Sequence, residues 1–388
     1  MEPINETTKC MRVWATIHCS ASGEATACCS SHLGTRAHRE DGSVITVKDD
    51  DFADCLRSIT ISNMRKEMMA GKWPEACFIC AEKERVGLNS QRIRSNDILY
   101  RGEILTEEPL PLRNMELWLG NLCNLTCKMC SPKFSTAWRR EYRKIPEIRS
   151  FGLAETESVG DFSVEKLEPV FRSIENLTVA GGEPLLIPKF YELIDYLVDR
   201  DLAKGLNLSI NTNLTTLPDK FIDRIHHMKN VRVNVSMDGY GKLNDYIRYG
   251  SVWAETDEYF RKLITLTKIM PNLQLGVITA TSMYNVLHLP ALIDYIRSTG
   301  FSGFHNVSLV MAPSFMDIRG LPPELKKLAA SRLEPYRSMF RVGGTIDYML
   351  SEDWSSQHWN TFVEYSKLVD QRTSIKLDDV VPEMSRWL

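Results

Sequence analysis

No cysteine occurs anywhere from position 131 to the last residue, 388. All ten (10, 19, 28, 29, 55, 77, 80, 123, 127 and 130) fall in the first third of the chain. A secreted disulfide scaffold is short and cysteine-dense throughout. The asymmetry argues against one and favours metal ligation in a reducing compartment. Charge of one sign is also lacking: 47 basic against 50 acidic residues leave a net −3, which suits neither nucleic acid nor an anionic membrane. No apolar run is long enough to span a bilayer. The opening MEPINETTKC has no basic-then-apolar signal pattern. The expectation is a cytoplasmic chain with no nucleic-acid and no membrane partner. Internal repeats and low-complexity runs are absent too, and 388 residues suggest about two or three domains.

What is present begins with CNLTCKMC, which places Cys123, Cys127 and Cys130 in a CxxxCxxC spacing. Three thiolates on one loop can hold three corners of an iron–sulfur cube, which normally takes four. The open corner is what a substrate or cofactor needs in order to touch iron, by the logic that separates open catalytic from closed structural metal sites. A zinc site with its fourth ligand elsewhere is the alternative, although zinc knuckles usually space their pair as CxxC.

From about Met115 the chain alternates short strands with helices. Strands are predicted at 115–120, 176–181, 206–211, 231–238, 273–279 and 304–310. Helical patterns lie near 135–145, 163–172, 188–200, 218–228, 255–269 and 288–298, with Pro188, Pro218 and Pro290 at or near helix starts, where a missing N–H costs little. Such alternation reads as a parallel sheet with crossover helices. Six units are too few for an eightfold barrel, so the predicted fold is α/β, a partial (β/α)6 TIM-like barrel with its chemistry at the strand carboxyl ends. Period-two patterning supports it. Val231, Val233, Val235 and Met237 share one face and Asn234, Ser236 and Asp238 the other; Leu206, Leu208 and Ile210 oppose Ser209, Asn211 and Asn213. The predicted divisions are 1–110, a small irregular cysteine-rich N-terminal domain; 111–312, the partial barrel; and 313–388, a mainly helical C-terminal extension.

The cysteine loop follows the first predicted strand, and the second ends in AGGEPLL. Its two glycines let backbone approach a ligand closely, and Glu183 offers an acceptor for an ammonium group. In this order the motifs resemble the radical S-adenosylmethionine (SAM) superfamily. The resemblance, spanning about residues 10–310, implies a 4Fe–4S cluster on Cys123, Cys127 and Cys130 with SAM chelating the fourth iron. It places Gly181, Gly182, Glu183 and Pro184 at the SAM amino group, and Asn211, Thr212, Asn213, Ser236 and Asp238 at ribose and carboxylate. Arg248 falls where some relatives put a basic residue on the SAM carboxylate. Met129 stands where the family commonly has an aromatic, and methionine is adaptable enough to fill that role. In that chemistry one electron splits a C–S bond of SAM, and the resulting 5′-deoxyadenosyl radical abstracts a substrate hydrogen. The cofactor carries the hard step while the protein positions and shields.

The earlier cysteines resemble a SPASM/twitch-type auxiliary domain, here preceding the barrel rather than following it. The resemblance implies a second 4Fe–4S cluster on Cys10, Cys28, Cys77 and Cys80, with Cys29 as the alternative to Cys28. A structural zinc site on the same four cysteines stays open. Cys19 and Cys55 read as small buried apolar residues. The implied function is hydrogen abstraction from a peptide or small metabolite, with the second cluster aiding oxidation or bond formation. The implied electron donor is of flavodoxin or ferredoxin type, and the basic run 139–144 is either a solvated helix face or its docking patch. Alternatives are a small-molecule dehydrogenase or epimerase of the same superfamily, or a non-catalytic iron–sulfur or zinc-binding protein.

Overall fold

The computed structural model describes residues 3–30, 35–153, 155, 158, 161–339 and 341–388. Its strands are β1 (Thr16–Cys19), β2 (Ala25–Thr26), β3 (Asn114–Trp118), β4 (Asn176–Ala180), β5 (Asn207–Thr212), β6 (Asn230–Ser236), β7 (Leu273–Thr281) and β8 (Phe304–Leu309). They form an eight-stranded sheet in the order β2-β1-β3-β4-β5-β6-β7-β8. β1 pairs with β3, β3 with β4, β4 with β5 and β7 with β8, all in parallel; β2 runs antiparallel to β1. The fold is the expected α/β partial barrel. All six predicted strands are present, and two more come from the segment that sequence patterning left irregular.

The α-helices are α1 (Met11–Ala15), α2 (Ile59–Met69), α3 (Phe78–Arg85), α4 (Gln91–Leu99), α5 (Thr136–Lys144), α6 (Glu168–Phe171), α7 (Pro188–Asp199), α8 (Asp219–Ile225), α9 (Lys242–Ile247), α10 (Trp253–Thr267), α11 (Leu289–Ser298), α12 (Pro323–Leu333), α13 (Val342–Ser351), α14 (Ser355–Asp370) and α15 (Leu377–Val380). No helix among the described residues is long and apolar enough to cross a membrane.

The chain divides into two compact units. One comprises Met1–Asn121, Thr156–Ile210 and Lys220–Val231; the other comprises Leu122–Glu155, Asn211–Asp219 and Arg232–Leu388. In the first unit β3, β4, β5 and β6 all start on asparagine. Asn207 Nδ2 donates to Asn176 Oδ1 at 3.0 Å and Asn230 Nδ2 to Asn207 Oδ1 at 2.8 Å. This ladder satisfies amides that would otherwise be costly to bury. Leu177, Val179, Leu208 and Ile210 pack into its core. In the second unit Val233, Val235 and Met237 are buried, with Val277 of β7 and Phe260 and Leu263 of α10 also in the core.

Candidate functional site

The cysteine loop leaves β3 and is tied down at nearly every residue by its own unit. Thr126 N donates to Tyr249 O at 2.9 Å and Lys128 N to Ile247 O at 2.8 Å. Ser135 caps α5 by accepting from Trp138 N and also donates to Leu125 O at 2.7 Å. The buried Trp138 indole donates to Cys127 O at 2.7 Å. Inside the motif Lys128 is fully buried; its ammonium lies 2.6 Å from Asp370 Oδ1 at the end of α14 and 3.9 Å from the Tyr246 ring centroid. Burial pulls that ammonium down to about 8 against the opposing pull of Asp370. Tyr365 donates to Lys128 O at 2.9 Å. Thus the loop backbone is fixed while Cys123, Cys127 and Cys130 stay half-buried and outside any disulfide.

Two predicted residues meet these thiols directly. Arg248 Nη1 lies 3.9 Å from Cys127 Sγ, and Asn213 Nδ2 lies 3.8 Å from Cys123 Sγ. Asp238 is fully buried behind Arg248, with its Oδ2 2.8 Å from Arg248 Nε and its Oδ1 accepting from Ala280 N at 2.8 Å. Its carboxylate therefore orients the guanidinium. Burial alone would lower the Arg248 pKa, but Asp238 and Cys127 hold it above its ordinary value. Burial pushes the thiols up, Cys130 to about 12, with Arg248 pulling both Cys127 and Cys130 the other way. Loading metal here would therefore release protons. Asn213 Oδ1 accepts from Thr215 N at 3.0 Å, a local turn that fixes its amide toward Cys123. Asn211 Oδ1 accepts from Asn234 at 2.9 Å, and Ser236 is half-buried at the end of β6.

The turn after β4 belongs to the other unit. Gly181 and Gly182 have φ +85° and +58°. A Cβ on Gly181 would sit 2.7 Å from Gly120 O and 2.9 Å from Trp118 Cβ, so only glycine fits this cradle. Glu183 is buried and its Oε1 accepts from Leu185 N at 3.2 Å, capping the short turn that begins at Pro184.

In the same unit Cys10, Cys28, Cys77 and Cys80 line one pocket together with Arg12, Met68, Trp73 and Arg92. None of the four is in a disulfide, and Cys29 is not part of the lining. Burial and the neighbouring Cys28 push Cys10 up to about 12, and burial raises Cys77 and Cys80. Cys28 is held below the ordinary thiol range by its hydrogen bond with Cys29, against burial and with help from Arg12.

Among the described residues no three His, Cys, Asp or Glu side chains converge at single-ion distance, so the fit to iron–sulfur groups rests on the donor sets themselves. Three cysteine thiols on a pinned loop beneath an arginine, and four around one pocket, none in a disulfide, are the donors that 4Fe–4S clusters take.

The model of the radical SAM superfamily matches residues 119–279, from the end of β3 into β7. Residues 119–279 thus match the radical SAM domain. Curated relatives include a probable GTP 3′,8-cyclase of Methanococcus maripaludis, 26% identical over 190 residues that make up 49% of this chain and 57% of that protein. Another is the sporulation killing factor maturation protein SkfB of Bacillus subtilis, 26% identical over 134 residues, 34% of this chain and 28% of that protein. This chain thus spans little more than half the length of the curated relatives, or less. Among solved structures, anSMEcpe with bound AdoMet is similar at a TM-score of 0.44 and 17% identity, covering 60% of this chain and 63% of that one. Streptococcus suis SuiB bound to precursor peptide SuiA is similar at 0.38 and 14%, covering 76% and 63%.

Sequence patterning missed Arg12, Lys128, Trp138, Tyr365 and Asp370. Arg12 and Lys128 did leave a signal, since each is a lone charge in an otherwise apolar or cysteine-bearing run. Asp370 left none, because its partner is 242 residues away.

Proposed function

We propose that this protein is a radical SAM enzyme that cleaves SAM reductively and abstracts a hydrogen atom from a peptide or small-metabolite substrate. The observation that carries this reading is the set of three thiols on the pinned loop, none in a disulfide, with Arg248 over Cys127 and Asn213 over Cys123. In this reading Cys123, Cys127 and Cys130 hold a 4Fe–4S cluster. Gly181, Gly182, Glu183 and Pro184 receive the SAM amino group, and Asn211, Asn213, Ser236 and Asp238 line the rest of the cofactor's place. When bound, cluster and SAM together would supply the one-electron scission of a C–S bond of SAM. What this chain contributes is position and charge. Arg248, held by Asp238, offsets thiolate charge beside Cys127, and the glycine cradle admits a ligand against bare backbone.

Residues 1–110 supply the second cysteine set. We assign Cys10, Cys28, Cys77 and Cys80 as the residues that would hold an auxiliary 4Fe–4S cluster of twitch type, which would supply one-electron oxidation. Residues 111–312 are then the partial barrel and 313–388 the C-terminal extension. The curated relatives are named for cyclising a nucleotide and for maturing a killing factor. The second cluster and the killing-factor relative favour a peptide. Arg140, Arg143 and Lys144 are exposed along α5 and would suit an acidic flavodoxin- or ferredoxin-type donor. The test is anaerobic reconstitution with iron and sulfide, then SAM and dithionite. The proposal expects 5′-deoxyadenosine from the reconstituted protein and none from Cys127→Ala. Release from that variant, or none from the fully loaded wild type, would overturn it.

A further inference from the structure

Arg12 is the second residue of α1, two positions after Cys10, and its side chain is 3% exposed. It forms part of the wall of the four-cysteine pocket. Its Nε donates to Cys28 Sγ at 3.1 Å, and its Nη2 lies 3.9 Å from Cys29 Sγ. The same Nη2 closes an ion pair with Glu116 on β3. Glu116 stands opposite His18 in the β1–β3 register, so the carboxylate is carried by sheet backbone rather than by a loop. Packing alone would be served by an apolar side chain here, since replacing a buried ion pair with well-packed apolar groups is often neutral or stabilising. What only a guanidinium provides is a planar fork that donates to a sulfur and a carboxylate at once.

The reduction potential of an iron–sulfur cluster responds to hydrogen bonds on its sulfurs and to net charge around it. We propose that Arg12, held in place by Glu116, sets the reduction potential of the cluster bound by Cys10, Cys28, Cys77 and Cys80. This rests on reading that pocket as an iron–sulfur site. The N–H from Arg12 to Cys28 Sγ favours the reduced state, which carries one more negative charge. Glu116 opposes it by returning a negative charge to the far side of the guanidinium. Arg12 is thus a positioning and tuning residue, and it touches no substrate.

The experiment uses the full chain with Cys123, Cys127 and Cys130 all changed to Ala, so that only the second cluster reports. After anaerobic reconstitution, iron is counted and the midpoint is measured by dithionite titration followed by electron paramagnetic resonance. Arg12→Gln should lower the reduced-to-oxidised ratio at a fixed potential by about tenfold, a shift of about 59 mV for one electron. Glu116→Gln should shift the midpoint in the opposite direction, and Arg12→Lys should fall between wild type and Arg12→Gln. A purely structural role would not give opposite signs. Bound iron with unmoved midpoints, or both Gln variants moving the same way, overturns the role of Arg12 alone. A background protein that binds zinc or nothing in place of iron overturns the pocket reading together with this proposal. If Arg12→Gln fails to assemble, Arg12→Lys and Glu116→Gln decide, and unmoved midpoints in both overturn the role.

Discussion

Asp370 shows how much of the cysteine loop depends on a single distant side chain. Its Oδ1 neutralises the buried Lys128 ammonium, while its Oδ2 accepts from Tyr246 at 3.1 Å and from Leu377 N at 2.9 Å. Removing one partner of a buried pair leaves an uncompensated charge and costs about 3–5 kcal/mol. Asp370→Asn should therefore destabilise the protein by about that amount in urea unfolding, and the double variant Lys128→Met with Asp370→Asn by clearly less, because the latter leaves no unpaired buried charge. Equal losses would contradict a charge-based account. A second residue-scale test concerns Glu383. Burial alone would raise its pKa, but its own backbone N–H, Arg332 and His288 hold it below the ordinary 4.5. A depressed carboxylate stabilises the fold above its unfolded pKa and loses that contribution as pH falls through the folded one. The thermal midpoints of wild type and Glu383→Gln should differ near neutrality and converge below about pH 4, near and below the ordinary glutamate value.

Among the elements, the turn after β4 makes the sharpest demand on one residue type. Gly181→Ala would need a Cβ 2.7 Å from Gly120 O at φ +85°, a left-handed conformation that costs other residues about 1–2 kcal/mol before any clash. Weakened SAM binding in calorimetry, with a lower unfolding midpoint, is the expected result; unchanged binding would remove the cradle from the site. Strands β3 to β8 were legible because their apolar residues alternate, as in Val231, Val233 and Val235. β1 was not, since Thr16, Ile17, His18 and Cys19 are buried on both faces and show no alternation. β2 has only two residues. Gly343 and Gly344 both lie inside α13, where a Cβ on Gly343 would meet Arg337 O at 2.9 Å. There, close packing overrides helix propensity. The candidate site was legible wherever its chemistry is local in sequence, as in CNLTCKMC and AGGEP. Arg248 was reached through its family position, whereas Asp370 and Glu116 act through tertiary pairing that no local pattern records.

For the whole molecule, the account requires two separate cysteine sets in one chain, each filled independently. Full reconstitution should yield about eight irons per chain, four for each 4Fe–4S cluster. Cys77→Ala should bind about four and keep SAM cleavage. A Cys77→Ala protein that still binds about eight would place the second cluster elsewhere. Everything else in the account depends on the loop after β3 holding iron that SAM can reach. The most direct test is 5′-deoxyadenosine released by the reconstituted protein with SAM and dithionite, measured beside Cys123→Ala, Cys127→Ala and Cys130→Ala loaded in the same way. The account predicts release from the wild type and none from the three variants. Release from any of those variants, or none from a wild type carrying its full iron, would contradict it.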